Sequence, residues 1–188
     1  SYGGFMINKT MDSDDPIDPC KESCWITYDA SNIESSTGKD RYIKVQGQIA
    51  FELIQKLRAR NAEFKDIFII TPFTSVAHGF KTYMQSISDD IVNWTDKDNK
   101  SGWLKDNIGT VHTFQGKEAK FVIYMLGCQS DGSANGAIKW VNANNVNVAF
   151  TRAKEYVYVI GDATKWAELN KNLAFAQRYL PIYTLEDI

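Results

Sequence analysis

Two stretches of the sequence set amide, cationic and carboxylate side chains directly against an apolar run. They are TVHTFQGKEAKFVIYMLG, from Thr110 to Gly127, and NVNVAFTRAKEYVYVIGD, from Asn145 to Asp162. In the first, Gln115, Lys117 and Glu118 offer an amide, a cation and a carboxylate around Gly116, where the backbone can take unusual dihedrals or approach a ligand closely. A carboxylate there can accept from ribose hydroxyls, and a cation can meet phosphate. A solvated turn between two strands would have the same composition. In the second, Arg152 stands near the end of a short apolar helix with Thr151 and Lys154 beside it and Asn145 two turns earlier. Its planar, permanently charged fork suits a transferring γ-phosphoryl group. The plain alternative is a surface arginine paired with a nearby carboxylate.

These residues need elements to position them. Cys24 to Tyr28 (CWITY) reads as a first strand. Apolar residues recur at helical spacing from Val45 to Leu57, with Arg58 and Arg60 in the last turn, where cations suit the helix dipole. Ile67 to Thr71 (IFIIT) fits a strand covered on both faces and closed by Pro72. Ser75 is expected to cap a helix with a Val76, Phe80, Tyr83, Met84 and Ile87 stripe. Residues 88–107, polar with Trp94 and Trp103 embedded, carry no clear assignment. A third strand is expected at Gly109 to Val111, a fourth at Phe121 to Leu126, and a loop over Gln129 to Gly136. A helix over Asn144 to Lys154 and a fifth strand at Tyr156 to Ile160 follow. Trp166, Leu169, Leu173, Ala176 and Leu180 then line one last helix. Strands alternating with helices imply an α/β fold, a mostly parallel sheet with helices on both faces.

Composition narrows the class. The 188 residues are 44% hydrophobic and 23% charged, enough for one large domain over residues 23–188 behind an irregular, Gly-, Pro- and Asp-containing lead-in over 1–22. With 21 Lys and Arg against 23 Asp and Glu, the net charge of -2 gives no global basic field, so nucleic-acid binding would be local to one face. No apolar run approaches the roughly 18 residues of a membrane span, and the three cysteines are an odd number. Cys20 and Cys24 are too close to brace a fold of this size, and His78 and His112 stand alone, which disfavours a zinc site. The expectation is a cytoplasmic protein with reduced thiols and no metal of its own. Ser1 is not a methionine, and Tyr2 to Ile7 reads as the interior of a longer polypeptide.

Taken together, TVHTFQGKEA, then NVAFTRAK, then the YVYVIGD strand closely resemble motifs V and VI of superfamily 1 helicases. The nearest branch contains the nonsense-decay and Okazaki-fragment-processing helicases. Ile69-Ile70-Thr71-Pro72-Phe73 is similar to motif IV of that branch, an apolar strand ending in Thr-Pro-Tyr. The resemblance covers roughly residues 23 to 167 and implies the second RecA-like domain, a P-loop NTPase fold lacking its own phosphate loop. It also implies roles. Arg152 matches the arginine finger that reaches ATP held by the first RecA-like domain, Glu118 the ribose-contacting acid, and Gln115, Gly116 and Lys117 the loop lining the same cleft. Thr110, His112 and Thr113 match positions between cleft and single-stranded nucleic acid, while Thr71, Pro72, Phe73 and Ser75 match the strand-tracking face. Lys120 stands where the family often has an acid, Asn144 and Asn145 where arginines precede motif VI, and Phe150 where a smaller aliphatic residue is usual.

No GxxxxGK[ST] phosphate loop occurs: Ser36-Thr37-Gly38-Lys39-Asp40 lacks the leading glycine and a hydroxyl after the lysine. No Asp-Glu pair ends an apolar strand. The chain therefore resembles half of an ATPase site, with ATP and Mg2+ held mainly by a first RecA-like domain of the same protein and single-stranded DNA or RNA as the track. The alternative is a non-catalytic adaptor that kept the fold and binds a protein or nucleic acid.

Overall fold

The computed structural model describes residues 21–29, 41–128 and 134–188. Six strands form one sheet: β1 (Cys24–Thr27), β2 (Ile67–Thr71), β3 (Ile108–Thr110), β4 (Ala119–Met125), β5 (Ala153–Ile160) and β6 (Ile182–Thr184). Their order is β3-β2-β4-β5-β1-β6, and every pairing is parallel. The sheet is thus wholly parallel, with one strand more than the sequence reading contained. β6 is only three residues long, too short to show a period, and is recruited by β1, whose Trp25 N–H donates to Pro181 C=O at 2.8 Å.

The central strands are apolar on both faces because both faces are covered. Ile67, Ile69, Ile70, Val122, Ile123, Tyr124, Val159 and Ile160 are buried. Right-handed crossovers send α1 (Lys44–Ala59) and α2 (Thr74–Ser86) over one face, with α3 (Asp89–Val92) and α4 (Lys100–Asp106). They send α5 (Ala134–Trp140), α6 (Ala143–Thr151), α7 (Ala163–Leu169) and α8 (Lys171–Ala176) over the other. The expected stripe of α1, Ile49, Ala50, Leu53, Ile54 and Leu57, is buried.

Four expectations are corrected. Ser75 does not cap α2: Phe73 occupies the N-cap, Ser75 lies inside the first turn, and its buried hydroxyl has no hydrogen-bond partner among the described residues. Lys154 belongs to β5 rather than to the preceding helix, which ends at Thr151. The last helix is two, because the Asn170 side chain competes with the helix ladder. Its amide oxygen accepts from Asn172 and Leu173 N–H, and its amide nitrogen donates to the Ile138 and Val141 carbonyls at 2.8 and 2.7 Å. Of the loop expected over 129–136, residues 134–136 open α5 and the remainder lies outside the described residues, as do Cys20 and Ser36–Asp40.

The unassigned stretch 88–107 closes the α1 face through an aromatic cluster. Phe64 stacks on Trp94 at 3.9 Å and meets Trp103 edge-on at 5.2 Å. Arg58 lies over Phe64 and donates to the Val92 and Asn93 carbonyls, so it is a tertiary clamp as well as a helix-end cation.

Candidate functional site

β3 ends level with the end of β2, since Thr110 registers with Thr71, whereas β4 begins at the opposite edge, since Ala119 registers with Ala153. The connection Val111 to Glu118 therefore returns from the carboxyl edge of the sheet to its amino edge, roughly 20 Å at 3.3 Å per strand residue. One residue pins it. Phe114 is fully buried with its ring 4.5 Å from Phe68, burial that contributes about 1.5–3 kcal/mol. Past that anchor Lys117 N–H donates to Phe114 C=O at 2.9 Å, and Gly116 takes φ +77, a left-handed value that glycine adopts without strain. The polar side chains Gln115, Lys117 and Glu118 are left exposed, as is His112.

The second stretch arrives at the same edge from the other direction. Asn142 caps α6 by accepting from Asn145 N–H, and Val146, Ala149 and Phe150 bury its apolar side. The helix thereby delivers Arg152 to its C-cap, where the Arg152 carbonyl accepts from Ala119 N–H at 3.0 Å. The two polar clusters are thus joined backbone to backbone. Immediately afterwards β5 advances from Ala153 to Tyr156 while β4 advances from Ala119 to Phe121, a one-residue bulge of the kind that re-aims side chains.

Arg152 is half-buried, its Nε buried and without a hydrogen-bond partner, and Nη2 makes a long 3.4 Å contact to Thr151 Oγ1. Among the described residues it forms no ion pair, so the reading of a surface arginine neutralised by a carboxylate does not describe this side chain. The nearby acid, Glu118, lies 3.9 Å from Lys154 instead, with both side chains more than half exposed. An arginine at a helix end with no counter-ion among the described residues fits an anionic oxygen arriving from outside. The space around Gly116 fits close approach, since a Cβ there would have no atom within 4 Å. No three His, Cys, Asp or Glu side chains gather among the described residues. Asn145 is buried at the start of α6 and does not share the surface of Arg152.

The remaining candidates lie toward the opposite, carboxyl edge. Thr71 is fully buried and its hydroxyl accepts from Phe73 N–H at 3.3 Å; Pro72 and Phe73 are buried too. Thr110 is half-buried at the end of β3, and Thr113 folds back so that its side chain occupies the space beside Gly109. Sequence reasoning missed what seals this edge. Gly127 N–H donates to Gln46 Oε1 at 2.7 Å, while Gln46 Nε2 donates to the Gly127 carbonyl at 3.3 Å and to the Tyr28 hydroxyl at 2.7 Å. The only available signal was one glutamine among the apolar positions of α1. Gly127 and Cys128 both have positive φ, and Cys128 N–H donates to Arg41 C=O at 2.8 Å. Burial pushes the Cys128 thiol up to about 12 against the opposing pull of Arg41, and burial likewise raises Tyr28. Both are protonated at neutral pH.

A family model described as an AAA domain matches residues 5–164, and no curated protein matches the chain. That family is of the helicase type and occurs in superfamily 1 helicases. A wholly parallel α/β sheet, two motif clusters hydrogen-bonded at one edge and a match over most of the length lead to one conclusion: this chain belongs to the AAA domain family and is a helicase-like, RecA-like domain.

Proposed function

We propose that the chain is the second motor domain of an ATP-dependent superfamily 1 DNA or RNA helicase or translocase, of the branch containing the nonsense-decay and Okazaki-fragment-processing helicases. The observation that carries this reading is the hydrogen bond from Ala119 N–H to Arg152 C=O, which seats the QGKE loop and the arginine side by side at one sheet edge. ATP, with Mg2+, supplies the energy of the cycle when bound between this domain and a first RecA-like domain that carries the phosphate loop. Arg152 presents a guanidinium with no counter-ion among the described residues to the γ-phosphoryl oxygens, where developing negative charge strengthens the contact. Glu118 accepts from ribose hydroxyls, and Gln115, Gly116 and Lys117 line the cleft. Closure of the halves moves a single strand across the carboxyl edge, in a cytoplasmic setting, with Thr110, His112 and Thr113 at the surface and Thr71, Pro72, Phe73 and Ser75 as the floor beneath it.

The test is ATP turnover by this chain joined to its phosphate-loop domain, with Arg152→Ala and Arg152→Lys variants beside the parent. The expected result is a loss of at least about 10³-fold for Arg152→Ala, little rescue by lysine, and negligible turnover by the chain alone. Near-parental turnover in Arg152→Ala removes the arginine from the site and favours a non-catalytic adaptor.

A further inference from the structure

Phe73, the aromatic residue of the strand-tracking motif, cannot offer a ring face to a ligand: it is 8% exposed, with the Arg41 guanidinium 5.0 Å from its centroid. The aromatic surface at this place belongs to Trp140, at the end of α5. Its ring lies 6.2 Å from that of Phe73, tilted 32°, and the residue is 60% exposed. Trp25, Trp103 and Trp166 are buried and Trp94 is half-buried against Phe64, so Trp140 is the one exposed tryptophan of five. An indole braced from beneath by Phe73 and left open above loses little freedom when something stacks on it. Arg41 lies over the same Phe73 ring and Lys139 precedes Trp140 in α5; both are exposed and neither is in an ion pair among the described residues.

We propose that Trp140, propped by Phe73, is a base-stacking platform for single-stranded nucleic acid, with Arg41 and Lys139 receiving the flanking phosphates. The proposal rests on the motor reading above and adds a residue outside its motifs. An aromatic face with a cationic border matches a polymer of π-faces joined by anions, and every base can stack, so contact here is tolerant of sequence. A docked protein face would instead place a predominantly apolar core around such an aromatic anchor, and the border here is charged.

The experiment titrates the 188-residue chain with fluorescently labelled 15-nucleotide oligouridylate and oligothymidylate, reading anisotropy for binding and tryptophan emission for stacking. Polyglutamate serves as an acidic-peptide probe. Binding is expected to quench the solvent-exposed emission that Trp140→Phe removes. Trp140→Ala should weaken binding about 5- to 150-fold and Trp140→Phe less. Arg41→Ala should lower the slope of log affinity against log salt by about one. Oligonucleotide binding with unchanged affinity in Trp140→Ala overturns the platform while the motor reading stands. No oligonucleotide binding by the parent chain defeats the strand-track half of that reading and the platform with it. Quenching by polyglutamate but not by oligonucleotide makes this a protein-docking face and also overturns the proposal.

Discussion

The two edges of the sheet are built on opposite terms. At the carboxyl edge, Thr71, Phe73, Gln46, Gly127 and Cys128 are buried, and the Thr71 hydroxyl, the Gln46 amide and the Gly127 and Cys128 backbone groups find partners inside the chain. At the amino edge, Gln115, Lys117 and Glu118 stand exposed, and Arg152 keeps a buried Nε with nothing to bond. Open parallel sheets ordinarily bind small ligands outside the carboxyl ends of their strands. Here the charged, under-bonded surface is at the other end, which is what a domain needs if it completes a neighbour's ligand site rather than enclosing one itself. The carboxyl edge spends most of these groups on its own fold, leaving His112 and the aromatic face of Trp140 exposed.

This contrast can be broken by mutation. The largest expected effect is the loss of at least about 10³-fold in turnover for Arg152→Ala in the joined motor, with urea unfolding of the chain nearly unchanged. A fold that collapses in that variant would mean the amino edge is structural after all. Next come the two left-handed glycines. At Gly127 a Cβ would overlap Val76 Cγ2 and stand 2.6 Å from the Arg41 carbonyl oxygen, so Gly127→Ala should cost about 3 kcal/mol by denaturant unfolding. At Gly116 the space is empty, and alanine should cost only the backbone strain, about 1–2 kcal/mol. Equal costs at the two positions would erase the distinction between a sealed and an open edge. Gln46→Ala, which strands the Gly127 backbone groups, should cost about 2–3 kcal/mol by the same measurement. The smallest effect belongs to Glu118→Gln. Its contact to Lys154 is exposed and 3.9 Å long, so stability should move by no more than about 0.5 kcal/mol, while nucleotide affinity of the joined motor falls.

Much of this was legible in the residues. The doubly covered run Ile67–Thr71 announces a central strand because apolar residues without alternation need cover on both faces, and α1 announces itself by its buried stripe. What the residues did not show is where single polar side chains find partners remote in sequence. Asn170 divides a periodic helix by bonding Ile138 and Val141, and Arg58 is the helix-end cation its position implies and also clamps Val92 and Asn93. Ser75, well placed in sequence for a cap, falls one turn-start too late because Phe73 takes the extended N-cap conformation.

By itself, the sequence determined the alternation of strands and helices, the identity of the QGKE and TRAK clusters and the absence of a phosphate loop, because these depend on residue type and short-range spacing. Only the tertiary structure decided that the two clusters share one edge and are hydrogen-bonded there, that Arg152 lacks a counter-ion among the described residues, and that Trp140 rather than Phe73 faces solvent. The first of these follows from the parallel run of β3 and β4, which forces Val111 to Glu118 to recross the sheet, and from the pairing of β4 with β5, which turns a sequence separation into contact.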